Sequence, residues 1–171
     1  MRFGIQAICG QDDAVYRRAV ETGRLAESLG FDFYSIFDHP MMQADPFILL
    51  TAVAMQTEAR IRVGSTVLCG LYRHPTQLAR LVADLDGISG GRAICGLGSG
   101  WMEREFAAME VPFGTPKERQ DGLDEAIEII LGLQGLGAVQ LRRQAVFDTR
   151  VPGAAGSGAI APPAGHDRWQ R

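Results

Sequence analysis

The stretch Phe31-Asp32-Phe33-Tyr34-Ser35-Ile36-Phe37-Asp38-His39-Pro40 decides how the rest of the chain is read. Phe31 to Phe37 is an apolar run of strand length, and Asp38-His39-Pro40 stops it, since proline lacks the N–H that a strand ladder uses. Asp45-Pro46 then opens a helix, an acidic cap with proline in the first turn. Ile48, Leu49, Ala52, Val53 and Gln56 carry that helix to about Thr57. A buried strand leading into a helix is one βα unit.

The same grammar repeats on both sides. Upstream, Phe3 to Ala7 reads as a short strand closed by Gly10, and Asp12 or Asp13 is placed to cap a helix carrying Val15, Ala19, Ala26 and Leu29. Gly30 ends it where a left-handed residue is usually needed. Downstream, Ile61 to Leu68 is a β-rich third strand, and Pro75 starts a helix with Leu78, Leu81, Val82 and Leu85 that breaks at Ser89-Gly90-Gly91. Arg92 to Leu97 is the fourth strand, followed by a short helical stretch from Trp101 to Met109 and a helix over Pro116 to Leu133.

Four βα units in series, each of roughly 30 residues, imply a parallel sheet with both faces covered. A doubly wound open sheet and a (β/α)8 barrel both offer that. A barrel needs about 250 residues, so 171 residues supply only part of one.

With 46% apolar residues the chain has the material for a core. Its net charge of −3 and scattered basic residues exclude a nucleic-acid face. Cys9, Cys69 and Cys95 are odd in number and lack a CxxC pair, which points to reduced thiols in a cytoplasmic protein rather than disulfides or zinc. No apolar run reaches membrane-spanning length, and Met1-Arg2-Phe3-Gly4-Ile5 leads straight into a strand pattern rather than a signal peptide. Lys117 is the only lysine against many arginines, which suggests GC-rich coding.

Gly96-Leu97-Gly98-Ser99-Gly100 lies between a strand and a helix but fails the dinucleotide fingerprint, whose sixth position is here Trp101 rather than glycine, and it sits on the fourth unit rather than the first. What remains is a glycine turn, either purely structural or offering amides to a ligand. Asp38-His39 ends the second strand, which in a parallel barrel is the mouth where catalytic groups gather. A histidine there moves protons near neutral pH, and a neighbouring carboxylate fixes its tautomer or binds a ligand donor. The plainer alternative is that Asp38 caps a turn and His39 is merely exposed.

His74 reads as a helix-entry residue, with Arg73 able to reach an anionic ligand. Glu103, Arg104 and Glu105 read as a solvated, salt-bridged helix face. Met41, Met42 and Trp101 suit either a flat apolar pocket or the core.

Several segments in order resemble the luciferase-like monooxygenase family, particularly its F420-dependent oxidoreductases. They are Gly30-Phe31-Asp32 leading to Phe37-Asp38-His39, then Arg60-Ile61-Arg62-Val63-Gly64, and Tyr72-Arg73-His74-Pro75. Leu85-Asp86-Gly87-Ile88-Ser89-Gly90-Gly91-Arg92, Gly96 to Trp101 with Glu105-Phe106, and Glu118-Arg119 continue the likeness to about Leu133. The resemblance implies a TIM-like barrel with a deazaflavin (F420, preferred) or FMN ring across its C-terminal mouth, acting on a small-molecule substrate by hydride transfer or monooxygenation. It implies that Asp38 hydrogen-bonds cofactor or substrate and that His39 stands near the ring as an acid/base. It further places a non-proline cis peptide at Thr66-Val67 behind the ring, and Gly98, Ser99 and Gly100 along the ring or ribityl chain.

The family continues with four more βα units and a Gly-Gly phosphate turn that this chain lacks. From Gln134 to Arg171 there is neither lysine nor glutamate and no sustained period, so 1–133 is expected to be the half-barrel and 134–171 an irregular tail without stable strands. The codons of Gly165-His166-Asp167-Arg168-Trp169-Gln170-Arg171, read one base later, permit Val-Met-Ile-Gly-Gly-Ser-Gly, and those of Leu141-Arg142-Arg143-Gln144 permit Phe-Asp-Gly-Lys. A frameshift between about Leu133 and Leu141 is therefore the expectation. A half-barrel would leave open sheet edges prone to self-association. Two readings compete with the enzyme fragment: a non-catalytic subunit completed by a partner chain, and an open-sheet nucleotide module. The second is disfavoured because Ala7-Ile8-Cys9-Gly10-Gln11 holds no phosphate loop.

Overall fold

The computed structural model describes residues 1–58 and 60–135. The expected tail and the expected frame change lie outside these residues, apart from Gln134 and Gly135. The elements run β1 (Gly4–Ala7), α1 (Val15–Ser28), β2 (Phe33–Ile36), α2 (Pro46–Gln56), β3 (Arg62–Ser65), β4 (Leu68–Cys69), α3 (Pro75–Ser89), β5 (Ala93–Ile94), β6 (Leu97–Gly98), α4 (Glu103–Ala108) and α5 (Pro116–Leu133). The four βα units are present and every strand pairing is parallel, with β1-β2-β3-β5 in one sheet and β4-β6 in a second.

One register row shows how the layers are made. Ile5, Tyr34, Val63 and Ala93 stand opposite one another and face the core, where Val15, Ala19, Leu49, Leu50, Val53, Leu78 and Val82 pack from α1, α2 and α3. Helices α1, α2, α3 and α5 each flank the next. The alternate row is Gln6, Ser35, Gly64 and Ile94, as the two-residue strand period requires. Gly64 has no substitute there, because a Cβ would lie 2.0 Å from the Ile94 carbonyl oxygen.

Two expected strands are each broken in the middle. Ile61 to Leu68 divides into β3 and β4 at Thr66-Val67, whose peptide bond is cis, at the position the resemblance indicated. Arg92 to Leu97 divides into β5 and β6 at Cys95-Gly96. Between the pairs a side chain stands in for the ladder: Ser65 Oγ donates to Gly96 O (2.9 Å) and accepts from Gly96 N (3.1 Å). A side-chain hydroxyl doing backbone work interrupts the regular strand.

Caps follow the local chemistry. Asp45 accepts from Phe47 N at 2.8 Å, and His74 Nδ1 accepts from Thr76 N at 3.3 Å, each ahead of a proline in the first turn. Thr115 and Glu118 form a reciprocal capping box on α5. The cap residue of α1 is Ala14, without a side-chain bond; Asp12 instead accepts from Ala14 N and pairs with Arg18. Gly30 holds the expected left-handed conformation, with φ +83°. Among the described residues no helix is long and apolar enough to cross a membrane.

Candidate active site

All four strands send their carboxyl ends to one rim, and a cavity of about 510 Å³ opens there. Gln6 and Ile8 reach it from β1, Phe37, Asp38 and His39 from β2, and Thr66, Val67, Leu68 and Cys69 from the β3–β4 break. Gly98, Gly100, Trp101, Met102 and Arg104 close the far side, and Met42 and Tyr72 complete the lining. The structure thus brings Asp38, His39, Thr66, Val67, Gly98 and Gly100 together; Ser99 is half-buried beside them but is not part of the lining.

His39 has the most telling surroundings. Its Nδ1 lies 2.7 Å from Glu105 Oε2, and Tyr72 Oη donates to that same oxygen at 3.1 Å. Glu105 is wholly buried, and its other oxygen has no partner among the described residues. Phe37 and Trp101 meet the imidazole edge-on, with ring centres 5.1 and 5.8 Å away. Burial first, then the charges of Cys69 and Glu105, push the Tyr72 phenol up from its ordinary value, so it stays a donor.

Glu105 therefore corrects the sequence reading. It was grouped with Glu103 and Arg104 as a solvated face, and only those two are exposed. Successive helical residues are about 100° apart, so three adjacent charges cannot share one face. Glu105 lies beside Phe106, the buried aromatic of α4. That adjacency was the available signal.

Arg73 is a second correction. It does not reach for a ligand: its guanidinium grips Asp38 at 2.5 and 3.2 Å and Asp45 at 2.8 Å. Burial alone would lower its pKa, but the two carboxylates raise it instead. Asp38 is itself buried, and Cys69 N adds a third donor at 3.2 Å. Although Asp38 borders the cavity, both its oxygens are committed within the protein, and they tie the end of β2 to α2, β4 and the start of α3.

The remaining walls are set by packing. Gln6 Nε2 donates to Thr66 O at 2.7 Å, and Thr66 Oγ1 donates to Ser35 Oγ at 2.9 Å. A Cβ on Gly98 would fall 2.8 Å from Val67 Cγ2. Gly100 has φ +75°, and a Cβ there would meet Phe106 at 2.5 Å and Cys69 Sγ at 2.9 Å. These glycines let the turn close onto the β4 side and α4. Burial raises the Cys69 thiol to about 11, so it offers no thiolate near neutral pH. Trp101 and Met42 line the cavity rather than the core, while Met41 is exposed away from it. Among the described residues no cluster of His, Cys, Asp or Glu is arranged to hold a metal ion.

A sequence model described as luciferase-like monooxygenase matches residues 1–157. The chain belongs to the luciferase-like monooxygenase family. The match extends beyond Leu133, where the quoted segments stop. An F420-dependent hydroxymycolic acid dehydrogenase of Mycobacterium tuberculosis is 33% identical over 135 residues, 74% of this chain and 37% of that protein. A 5,10-methylenetetrahydromethanopterin reductase of Archaeoglobus fulgidus is 32% identical, over 76% of this chain and 36% of that one. The solved F420-dependent tetrahydromethanopterin reductase of Methanopyrus kandleri superposes with a TM-score of 0.64 at 28% identity, over 78% of this chain and 40% of that one. This family member thus spans just over a third of the length of the relatives it matches.

Proposed function

We propose that this chain supplies the ring-facing wall of an oxidoreductase site that takes F420, with FMN as the alternative, and acts on a small-molecule substrate. The observation that carries this reading is a mostly apolar cavity at the carboxyl rim of the strands, with His39 half-buried on its wall. A flat tricyclic ring suits apolar walls such as those of Ile8, Phe37, Val67 and Trp101, which the tight turn at Gly98 and Gly100 completes. The bound cofactor supplies hydride transfer in the F420 case and oxygen activation in the FMN case.

The chain's own residues do the rest. Thr66, Val67 and Gly98 form the wall against which a ring rests, with Thr66 O held in place by Gln6. Asp38 acts as a positioning residue through Arg73, and His39 takes or returns the substrate proton. Ser99 is assigned to the outer, ribityl side. Arg104 is the one arginine or lysine in the cavity lining among the described residues, so the main phosphate anchor is assigned to sequence beyond them. The second reading is a non-catalytic half-barrel subunit that a partner chain completes at the open edges of its sheet.

The test is titration of F420 and FMN separately into the 171-residue chain and into a version extended in the frame one base later from about Leu133. The expected result is weak binding by the first and tight binding of F420 by the second. In the extended protein, His39→Ala should lower turnover by about a hundredfold or more with little change in binding. Micromolar binding by the monomeric shorter chain overturns the placement of the anchor. Cofactor-dependent dimerisation selects the partner reading, and indifference to His39→Ala removes the role given to that histidine.

A further inference from the structure

We infer that Glu105 is a positioning residue that holds the His39 proton at Nδ1 and leaves Nε2 as the ring's open acceptor toward the cavity. The catalytic meaning of this assignment rests on the role proposed above for His39; the assignment itself does not.

The geometry leaves little freedom. Glu105 N is bonded to Met102 O at 2.9 Å, and the neighbouring Phe106 is gripped between Tyr72 and Phe113, with ring centres 4.9 and 5.0 Å apart. The carboxylate is therefore fixed on α4, while Phe37 and Trp101 bracket the imidazole on β2's end. With Tyr72 donating to Oε2, that oxygen is an acceptor, and it sits 2.7 Å from Nδ1. A ring protonated only at Nε2 would set two lone pairs against each other across that distance, beside a wholly buried carboxylate where an unmet acceptor costs most.

The other charged groups nearby do not compete. Arg73 is committed to Asp38 and Asp45, and Arg104 is exposed at the rim. His39 is the only ion-pairing partner of Glu105 among the described residues, and Nε2 has no hydrogen-bond partner there. A carboxylate that fixes a histidine's tautomer also favours the imidazolium formed when Nε2 takes a proton. Proton transfer at this site then runs through Nε2 alone: the substrate's hydroxyl or carbon-bound proton bonds to Nε2, and the electron pair stays with the substrate.

Nitrogen-15 spectra of the labelled 171-residue chain test this without any cofactor, with the His39 ring signals assigned by their loss in His39→Gln. The neutral ring should show a protonated, pyrrole-type Nδ1 and a pyridine-type Nε2. Glu105→Gln keeps an acceptor oxygen and should preserve the pattern. Glu105→Leu removes it and should make Nε2–H the major form, with circular dichroism confirming the fold. If that variant does not fold, the unsubstituted chain still decides. A neutral ring protonated at Nε2, which a protonated Glu105 donating to Nδ1 would produce, overturns the inference. So does a ring protonated at both nitrogens up to the highest pH at which the fold holds, and so does Nδ1–H persisting in Glu105→Leu. Failure here leaves the cofactor assignment standing, whereas failed cofactor titration beside the expected tautomer rejects only the cofactor assignment.

Discussion

The two ends of the sheet differ in how completely they satisfy buried charge. At the amino ends, Glu27 accepts from the backbone N–H groups of Glu58, Arg60 and Ile61 at 2.6, 3.1 and 3.0 Å. Arg92 there donates to Ala54 O, Ile61 O, Ser89 O and Thr57 Oγ1, all between 2.7 and 2.9 Å. At the carboxyl ends Asp38 is likewise satisfied by Arg73 and Cys69 N, but Glu105 keeps one oxygen and His39 one nitrogen unpartnered among the described residues. Buried polar groups are normally satisfied, and each exception calls for an explanation. The saturated end closes loops onto helices, whereas the unsaturated end retains groups able to act on something else. The same division between a stability face and a catalytic face is general in barrels.

The hardest blow to this contrast would come from the saturated end. Arg92→Leu takes its donors from the Ile61 and Ser89 carbonyls and leaves Ala54 O with only a long bond from Thr57 Oγ1 at 3.4 Å, so it should cost about 3–5 kcal/mol, read as a lowered urea midpoint. The cavity and the His39 tautomer should be untouched in whatever fraction stays folded. A loss below about 1 kcal/mol would show that these hydrogen bonds are replaceable by water and that the amino end is not a stability centre.

Glu27 gives a smaller effect with a definite sign. Burial alone would raise its pKa, but the three backbone N–H donors and the charge of Arg92 outweigh it and hold the carboxyl below its ordinary 4.5. A lowered folded value means the stabilisation is fully present above the unfolded pKa and is lost as pH falls through the folded one. Glu27→Gln should therefore destabilise by about 1–3 kcal/mol at neutral pH, with the gap to the unsubstituted chain narrowing below about pH 4.5. A gap that stays constant or widens in acid would mean that the carboxylate charge is not what Glu27 contributes.

The legible part of the molecule was the local part. Apolar runs punctuated by Asp38-His39-Pro40, Pro75 and Gly90-Gly91 are read within a few residues, and the four βα units followed from them. The rim that collects His39, Thr66 and Gly98 then followed from strand direction alone. What escaped was pairing across the chain. Arg73 looked available because Asp38 lies 35 residues away, and Glu105 looked solvated because His39 lies 66 residues away. The break after Ser65 was legible only through the resemblance, which marked Thr66-Val67, and not from the local pattern, since the Ser65 hydroxyl answers to Gly96 on the next unit. Residues whose role depends on a distant partner carry no period of their own.

The finest test lies at the unsaturated end, on Tyr72. Tyr72→Phe removes one of two donors to Glu105 Oε2 and keeps the ring that packs on Phe106 at 4.9 Å. Because His39 still donates to that oxygen and the other oxygen was already unpartnered, little new is left unmet. The stability loss should be about 0.5–1.5 kcal/mol, the ordinary net worth of one hydrogen bond, well short of that for Arg92→Leu. With its competitor gone, the carboxylate draws harder on Nδ1–H, so the His39 Nδ1 proton should move downfield while the tautomer stays the same. A stability loss matching that of Arg92→Leu would erase the distinction between the two ends. A small loss with an unmoved proton would instead show that Tyr72 and His39 do not share Oε2 in solution, and Glu105 would then orient His39 without the phenol's help.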